Sequence, residues 1–218
     1  MELTTDGLLS AAHALSGRSL GELAHENRVP LPNNAKRAKG WVGELVEICL
    51  GATSGNRSQP DFESLGIELK TMPLDSRLKP KESTFVCHAS LSGIAEQCWE
   101  ESPVYAKLRR VLWVPVEADA EIDLALRRVG GIFLWSPSAQ DWQILKRDWE
   151  EHMETIALGR IDQLDGRRGE YLQIRPKGYS SHDRTKTFDV AGNKVSANPR
   201  GFYLRQKFTS KILAQSRP

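Results

Sequence analysis

The sequence predicts an α/β fold, a mixed sheet flanked by helices, on three observations. The first fifty residues place Leu8, Leu9, Ala12 and Leu15 at helical spacing. The run Val111-Leu112-Trp113-Val114-Pro115-Val116 is short and almost wholly apolar, as in a strand buried on both faces. From Pro137 to about Leu158, Trp142, Leu145, Trp149, Met153 and Ile156 recur three or four residues apart, the mark of a long amphipathic helix. Helices on a mixed sheet give an α/β or α+β reading.

Each element follows from local chemistry. Ser19-Leu20-Gly21-Glu22 reads as a capping box, with Glu22 reaching back to the N-cap. Val29 to Asn34 is a loop because Pro30 and Pro32 stop a helix. A helix from about Gly40 to Leu50 ends at Gly51, with Trp41, Val42, Leu45, Val46, Ile48 and Cys49 on one face and Glu44 and Glu47 on the other. Gly66 to Pro73 alternates as a strand, and Ser83 to Ala89 and Gly131 to Trp135 are short strand-prone segments. Glu170 to Arg175 reads as a strand with Tyr171, Gln173 and Arg175 on one face. Gly178 to Pro199 is a polar loop or extended hairpin, Gly201 to Arg205 a strand, and Thr209 to Ala214 a terminal helix.

Composition excludes several classes. No apolar run among the 218 residues approaches the roughly 18 needed to span a membrane. The N-terminus, with Glu2 and Asp6, lacks the basic and apolar regions of a secretory signal. Cys49, Cys87 and Cys98 form no CxxC pair, which reads as buried, reduced thiols of a cytoplasmic protein rather than a disulfide framework or zinc site. The formal charge of +2 hides an asymmetry: residues 166–218 hold 12 Lys/Arg against 3 Asp/Glu, a net of +9, and residues 1–165 hold 18 against 25, a net of −7. A basic end of this kind points to a polyanion.

The chemistry concentrates in Asp61-Phe62-Glu63-Ser64-Leu65-Gly66-Ile67-Glu68-Leu69-Lys70. On a strand, Ile67 and Leu69 face one side and Glu68 and Lys70 the other. A turn at Gly66 can bring Asp61 beside Glu68. Two convergent carboxylates suit Mg²⁺, and a neighbouring Lys can assist an attacking water or stabilise charge on phosphate. Taken alone, the same residues also fit an ordinary surface ion pair. Glu44 or Glu47 on the upstream helix could add a further carboxylate, and spacing does not choose between them.

Longer motifs choose. Lys39-Gly40-Trp41-Val42-Gly43, Leu45 to Ala52, Asp61 to Thr71, Thr84-Phe85-Val86-Cys87, Lys107 to Glu117, Gly169 to Lys177 and Pro199 to Leu204 occur in one order, and together they resemble the MutH family. That family belongs to the PD-(D/E)xK restriction-endonuclease superfamily, and the resemblance runs from about Leu15 to Leu213.

The resemblance implies a restriction-endonuclease-like fold with two lobes around a DNA-binding cleft, and a single endonuclease domain over 1–218. The approximate lobes are 1–165, catalytic, and 166–218, basic and DNA-reading. It implies catalytic residues Asp61, Glu68, Lys70 and Glu47, with Mg²⁺ on Asp61, Glu68 and the carbonyl of Leu69, and Lys70 orienting or activating the water. It places DNA contacts on Lys39, Phe85, Lys107, Arg175, Pro176, Lys177, Arg200 and Tyr203. Arg175, Pro176 and Lys177 would read GATC, with Tyr203 sensing adenine N6 and its methylation. The implied reaction nicks the unmethylated strand of hemimethylated GATC in double-stranded DNA, leaving a 5′-phosphate and a 3′-hydroxyl. The protein would act as a monomer, stimulated by MutL after MutS finds a mismatch. Gly178 to Asn198 departs from the family pattern.

Two other readings compete. A GATC-specific type II-like restriction endonuclease would cut both strands unaided. A non-catalytic DNA-binding module would require a broken metal site, whereas Asp61, Glu68 and Lys70 are all present.

Overall fold

The structure, a computed structural model, describes residues 3–33, 35–52, 59–94, 97–177 and 184–216, with the backbone alone for 35–39. It is a mixed α/β structure whose chain divides into two compact units. One comprises Met1–Glu82, Arg109–Ser136 and Ala214–Pro218, and the other Ser83–Leu108 and Pro137–Leu213. These units do not follow a cut at residue 165: segments 83–108 and 137–165 pack with the basic C-terminal residues.

In the first unit, α1 (Thr5–His13), α2 (Leu20–Glu26) and α3 (Ala35–Leu50) cover a sheet. Strand β1 (Glu68–Leu74) pairs in parallel with β3 (Val111–Glu117), and β4 (Phe133–Trp135) runs antiparallel on the far side of β3. The predicted capping box is present: Ser19 accepts from the Glu22 amide while Glu22 accepts from the Ser19 amide. Helix α3 starts five residues before the expected Gly40, at Ala35. Its buried side is Trp41, Leu45, Val46 and Leu50, whereas Ile48, expected there, is 46% exposed. Those four residues meet Leu8, Leu23, Phe62, Ile67, Leu69, Leu112 and Val114 in one apolar core. The buried centre of that core is β3, as its continuous apolar run predicts.

In the second unit, β2 (Thr84–Ala89), β8 (Arg200–Leu204) and β5 (Leu172–Pro176) form an antiparallel sheet in the order β2-β8-β5. Helix α4 (Pro103–Leu108) and the long α5 (Ala139–Ala157) lie in this unit, with α6 (Gln206–Gln215) all but its last two residues. A capping box of Ser138 and Asp141 starts α5. On its buried face Trp149 stands 5.6 Å from Trp99, which also meets Trp142 at 5.8 Å. Five of the six tryptophans are buried, as bulky aromatics in a core should be.

Two expectations are corrected here. Tyr171 does not share the β5 face with Gln173 and Arg175: it precedes the strand, stacks on Phe208 at 3.9 Å, and its hydroxyl accepts from Lys211 Nζ at 2.9 Å. The thiols are not all buried: Cys87 is, Cys49 is half-buried and Cys98 is exposed. The stretch expected as a loop or hairpin contains the two-stranded ribbon β6 (Thr185–Phe188) and β7 (Lys194–Ala197), and residues 178–183 lie outside the described residues. Among the described residues, no helix is long and apolar enough to cross a membrane.

Candidate active site and nucleic-acid interface

The first cluster is assembled by β1 and the turn before it. Phe62 and Ile67 bridge each other, and a 3-10 turn at Glu63–Leu65 closes between them. Gly66 ends that turn at φ +62°, in the left-handed region that glycine enters without strain. The turn carries the chain back so that Asp61 lies against the open edge of β1. There its Oδ2 accepts the Leu69 amide at 2.8 Å, while the Glu68 amide points the other way, to the Arg110 carbonyl next to β3. Asp61 thus satisfies an edge amide that no strand reaches.

Glu68 and Lys70 leave the face of β1 opposite Leu69, as the alternation predicts, but neither is at the surface. Glu68 is 2% exposed, Lys70 is 9% exposed, and Lys70 Nζ donates to Glu68 Oε1 at 2.7 Å. This burial excludes the ordinary surface ion pair. Burying two charges costs several kcal/mol per ion, and their attraction seldom returns more than an apolar pair would. Such an arrangement is a poor stabiliser and a usable reaction site.

Glu47, on α3, is half-buried, and Glu44 is exposed. Burial first, then the charges of Asp61 and Glu68, push the Glu47 carboxyl up to about 7, against a smaller opposing pull from Lys70. Three carboxyl groups therefore share one field with a single ammonium. Among the described residues, no three His, Cys, Asp or Glu side chains stand together as a ready-made metal cage. Mg²⁺ does not need one: it binds through one or two carboxylates and keeps several waters. An acidic, buried patch with Asp61 and Glu68 at its centre fits that demand.

The second cluster lies on the β2-β8-β5 sheet. Phe85 and Tyr203 are register partners, with ring centroids 5.3 Å apart, edge to face. Arg175 stacks over Tyr203 at 5.6 Å and donates from Nη1 to Ser83 Oγ at 2.9 Å. Lys177 Nζ stands 4.4 Å from the Phe85 ring centroid, and His88 meets that ring at 5.4 Å. Pro176, between Arg175 and Lys177, is exposed and ends β5. The strands thus bring Phe85, Arg175, Lys177 and Tyr203 together as alternating cations and rings, a surface suited to phosphates and base edges.

The space between the two rings is made by Gly201. A Cβ there would lie 2.8 Å from Phe85 Cε2 and 3.3 Å from Tyr203 Cε2. Sequence reasoning missed Ser83, His88 and Gly201, although a glycine inside a strand signals close approach of neighbouring groups.

The other expected DNA contacts are placed elsewhere. Arg200 alternates away from Tyr203, onto the face of Phe202 and Leu204, and its Nη2 donates to the Ile161 carbonyl at 3.3 Å. Burial holds its guanidinium below the ordinary value, and its Nε is buried without a partner. Lys107 closes α4 in the second unit and is 6% exposed. Lys39 belongs to α3, and its side chain lies outside the described residues.

The family model described as DNA mismatch repair enzyme MutH matches residues 50–148, a stretch that includes Asp61, Glu68 and Lys70. The DNA mismatch repair protein MutH of Escherichia coli O127:H6 is 50% identical over 97% of this chain and 93% of its own length. That of Shigella flexneri serotype 5b is 49% identical over the same shares. With these likenesses beside a buried carboxylate-lysine site, the class is that of DNA endonucleases. The chain belongs to the MutH family.

Proposed function

We propose that this chain is a Mg²⁺-dependent endonuclease of mismatch repair. It nicks the unmethylated strand of double-stranded DNA at hemimethylated GATC and is stimulated by MutL, which acts after MutS has found a mismatch. The observation that carries the reading is the buried set of Asp61, Glu68 and Lys70, with Glu47 beside it, in a member of the MutH family.

Asp61, Glu68 and the Leu69 carbonyl would hold Mg²⁺, which when bound supplies positive charge to a phosphate oxygen and lowers the pKa of a bound water. Leu69 supports this because its carbonyl leaves the strand toward the edge where Asp61 takes its amide. Lys70 Nζ, fixed on Glu68, orients the attacking water and bears on the charge that develops at phosphorus. The water oxygen bonds to phosphorus, the bond from phosphorus to O3′ breaks, and a 5′-phosphate and a 3′-hydroxyl remain. Glu47 adds negative field to the cation site.

Reading belongs to the second cluster. The Arg175 fork suits guanine O6 and N7, and Tyr203 stands beside it to meet adenine N6 or its methyl group. Pro176 and Lys177 carry the same corner of backbone toward the duplex. Lys39 and Lys107 are proposed phosphate contacts. Arg200 acts in place of a direct reader as a brace between β8 and Ile161. We further propose a monomer working in the cytoplasm, since one catalytic set suits a single-strand nick.

The test is a plasmid nicking assay with hemimethylated, unmethylated and fully methylated GATC, with and without MutL. One nick per hemimethylated site, requiring Mg²⁺ and rising with MutL, is expected. Unaided double-strand cleavage would favour the restriction-enzyme reading, and no cleavage under any condition would favour a binding module.

A further inference from the structure

The chain leaves the reading corner at Lys177 and returns to it at Pro199, where the Lys177 amide donates to the Pro199 carbonyl at 2.7 Å. Strands β5 and β8 are thus direct neighbours, and everything between is an excursion from their Arg175 end. That excursion holds the β6–β7 ribbon, in which Lys186 faces Ser196 and Phe188 faces Lys194.

The two faces of this ribbon differ. On the inner one, Thr187 is 2% exposed and its hydroxyl donates to the Leu91 carbonyl at 2.9 Å. The turn at Asp189 rests on Gly159, where a Cβ would fall 2.3 Å from the Asp189 carbonyl carbon. On the outer face, alternation and register put Lys186, Phe188, Lys194 and Ser196 side by side, all exposed, with Phe188 at 45%. Asp189, the one carboxylate of residues 184–198, is half-exposed in the turn beyond the strands, where it accepts the Ala191 and Asn193 amides.

We infer that the outer face of the β6–β7 ribbon is a second DNA-contact surface, with Lys186 and Lys194 on backbone phosphates and the Phe188 ring lying between them against the sugar-phosphate wall. The inference rests on the proposed DNA-reading role of the corner from which the ribbon springs. Charge complementarity names the occupant: on this face two lysines flank the one ring, and the single acid of residues 184–198 sits in the turn, off the face, on backbone amides. The core of a protein interface is depleted in lysine, so this face suits a polyanion better than a protein. A two-stranded ribbon also matches the width of a DNA groove. Phosphate contacts carry no sequence information, so the ribbon adds affinity and not specificity.

The experiment measures equilibrium binding of the full chain to a GATC duplex and to a random duplex across salt concentrations. It uses wild type, Lys186→Gln/Lys194→Gln, Lys186→Glu/Lys194→Glu and Arg175→Ala, with thermal melts to verify folding. The double Gln variant should lower the slope of log K against log salt by about 2, roughly one phosphate per lysine. It should weaken both duplexes by the same factor, the Glu variant should weaken them further, and Arg175→Ala alone should reduce the ratio between duplexes. Unchanged slope and affinity in folded double variants would overturn the inference. So would unchanged DNA binding with lost stimulation by an added repair protein, which would assign the face to a protein. If wild type shows no preference for GATC, the reading role fails instead, and the slope still reports on the ribbon.

Discussion

Lys70 Nζ lies 2.7 Å from Glu68 Oε1, and both side chains leave the same face of β1 and are buried. The pair spans two residues of one strand, so its geometry is set by the pleat and not by flexible loops. Register with β3, Glu68 opposite Val111 and Lys70 opposite Trp113, fixes it further.

Removing one partner strands the other. Lys70→Ala leaves a buried carboxylate and should destabilise the protein by about 3–5 kcal/mol, whereas Glu68→Gln with Lys70→Met should recover most of that loss. Nicking should fall by about 100-fold or more in both, because the transition-state charge loses its donor. Denaturant melts and single-turnover nicking separate the two effects, and a fully active Lys70→Ala would end the catalytic assignment.

Cation binding should appear as stability. Mg²⁺ at about 100 times its dissociation constant should add about 2.7 kcal/mol to wild type. Asp61→Ala should lose this gain, and a chelator should reverse it in wild type. Calorimetry with and without Mg²⁺ measures it, and an equal gain in Asp61→Ala would move the cation elsewhere.

At the reading corner, Arg175→Ala should lose about 1–3 kcal/mol of preference for GATC over a changed site. Gly201→Ala would drive the Phe85 ring from its seat against Tyr203, since 2.8 Å leaves no room for a methyl group. Its signature should be weaker discrimination between methylated and unmethylated DNA with the Mg²⁺ response intact, read by competition binding.

His152 makes stability depend on pH. Its Nε2 meets the Leu172 carbonyl at 3.1 Å, and burial lowers its pKa below the ordinary 6.5. The unfolded chain then binds the proton more readily, so this contribution is complete above about pH 6.5 and is lost as pH falls through the lower folded value. Urea melts from pH 7.5 down to pH 5 should show the decline, and His152→Gln should flatten it.

The same segment gives a steric prediction. Asp148 accepts the amides of Glu170, Tyr171 and Leu172 at 2.8, 2.6 and 3.0 Å, pinning the entry to β5. Gly169 stands at φ +81°, and a Cβ there would sit 1.8 Å from the Leu172 carbonyl oxygen. Asp148→Asn should cost about 1–3 kcal/mol. Gly169→Ala should cost at least as much, and a melt indistinguishable from wild type in either would contradict this.

The sequence made the local elements legible where chemistry was local. The Ser19 capping box, the apolar run of β3 and the alternation of Glu68 and Lys70 each follow from neighbours a few residues away. The burial of Glu68 and Lys70 did not, because exposure depends on what covers a face. Glu47 was separable from Glu44 only by family likeness, and its half-buried position follows from how α3 packs. Tyr171 was misplaced because its position depends on a stacking partner, Phe208, far along the chain, and the bond from Arg200 to the Ile161 carbonyl was not legible because it depends on strand phase. The charge boundary at 165 marked composition, while the units follow which segments pack.

The parallel pairing of β1 with β3 has a consequence for synthesis. The connection between those strands is residues 75–110, and most of it, Ser83–Leu108, belongs to the other unit. A ribosome therefore releases the strand carrying Glu68 and Lys70 well before β3, its one sheet neighbour among the described residues, exists. Arg175 on β5 and Tyr203 on β8 emerge later still. An interrupted chain carries Asp61, Glu68 and Lys70 without the strand whose register fixes them.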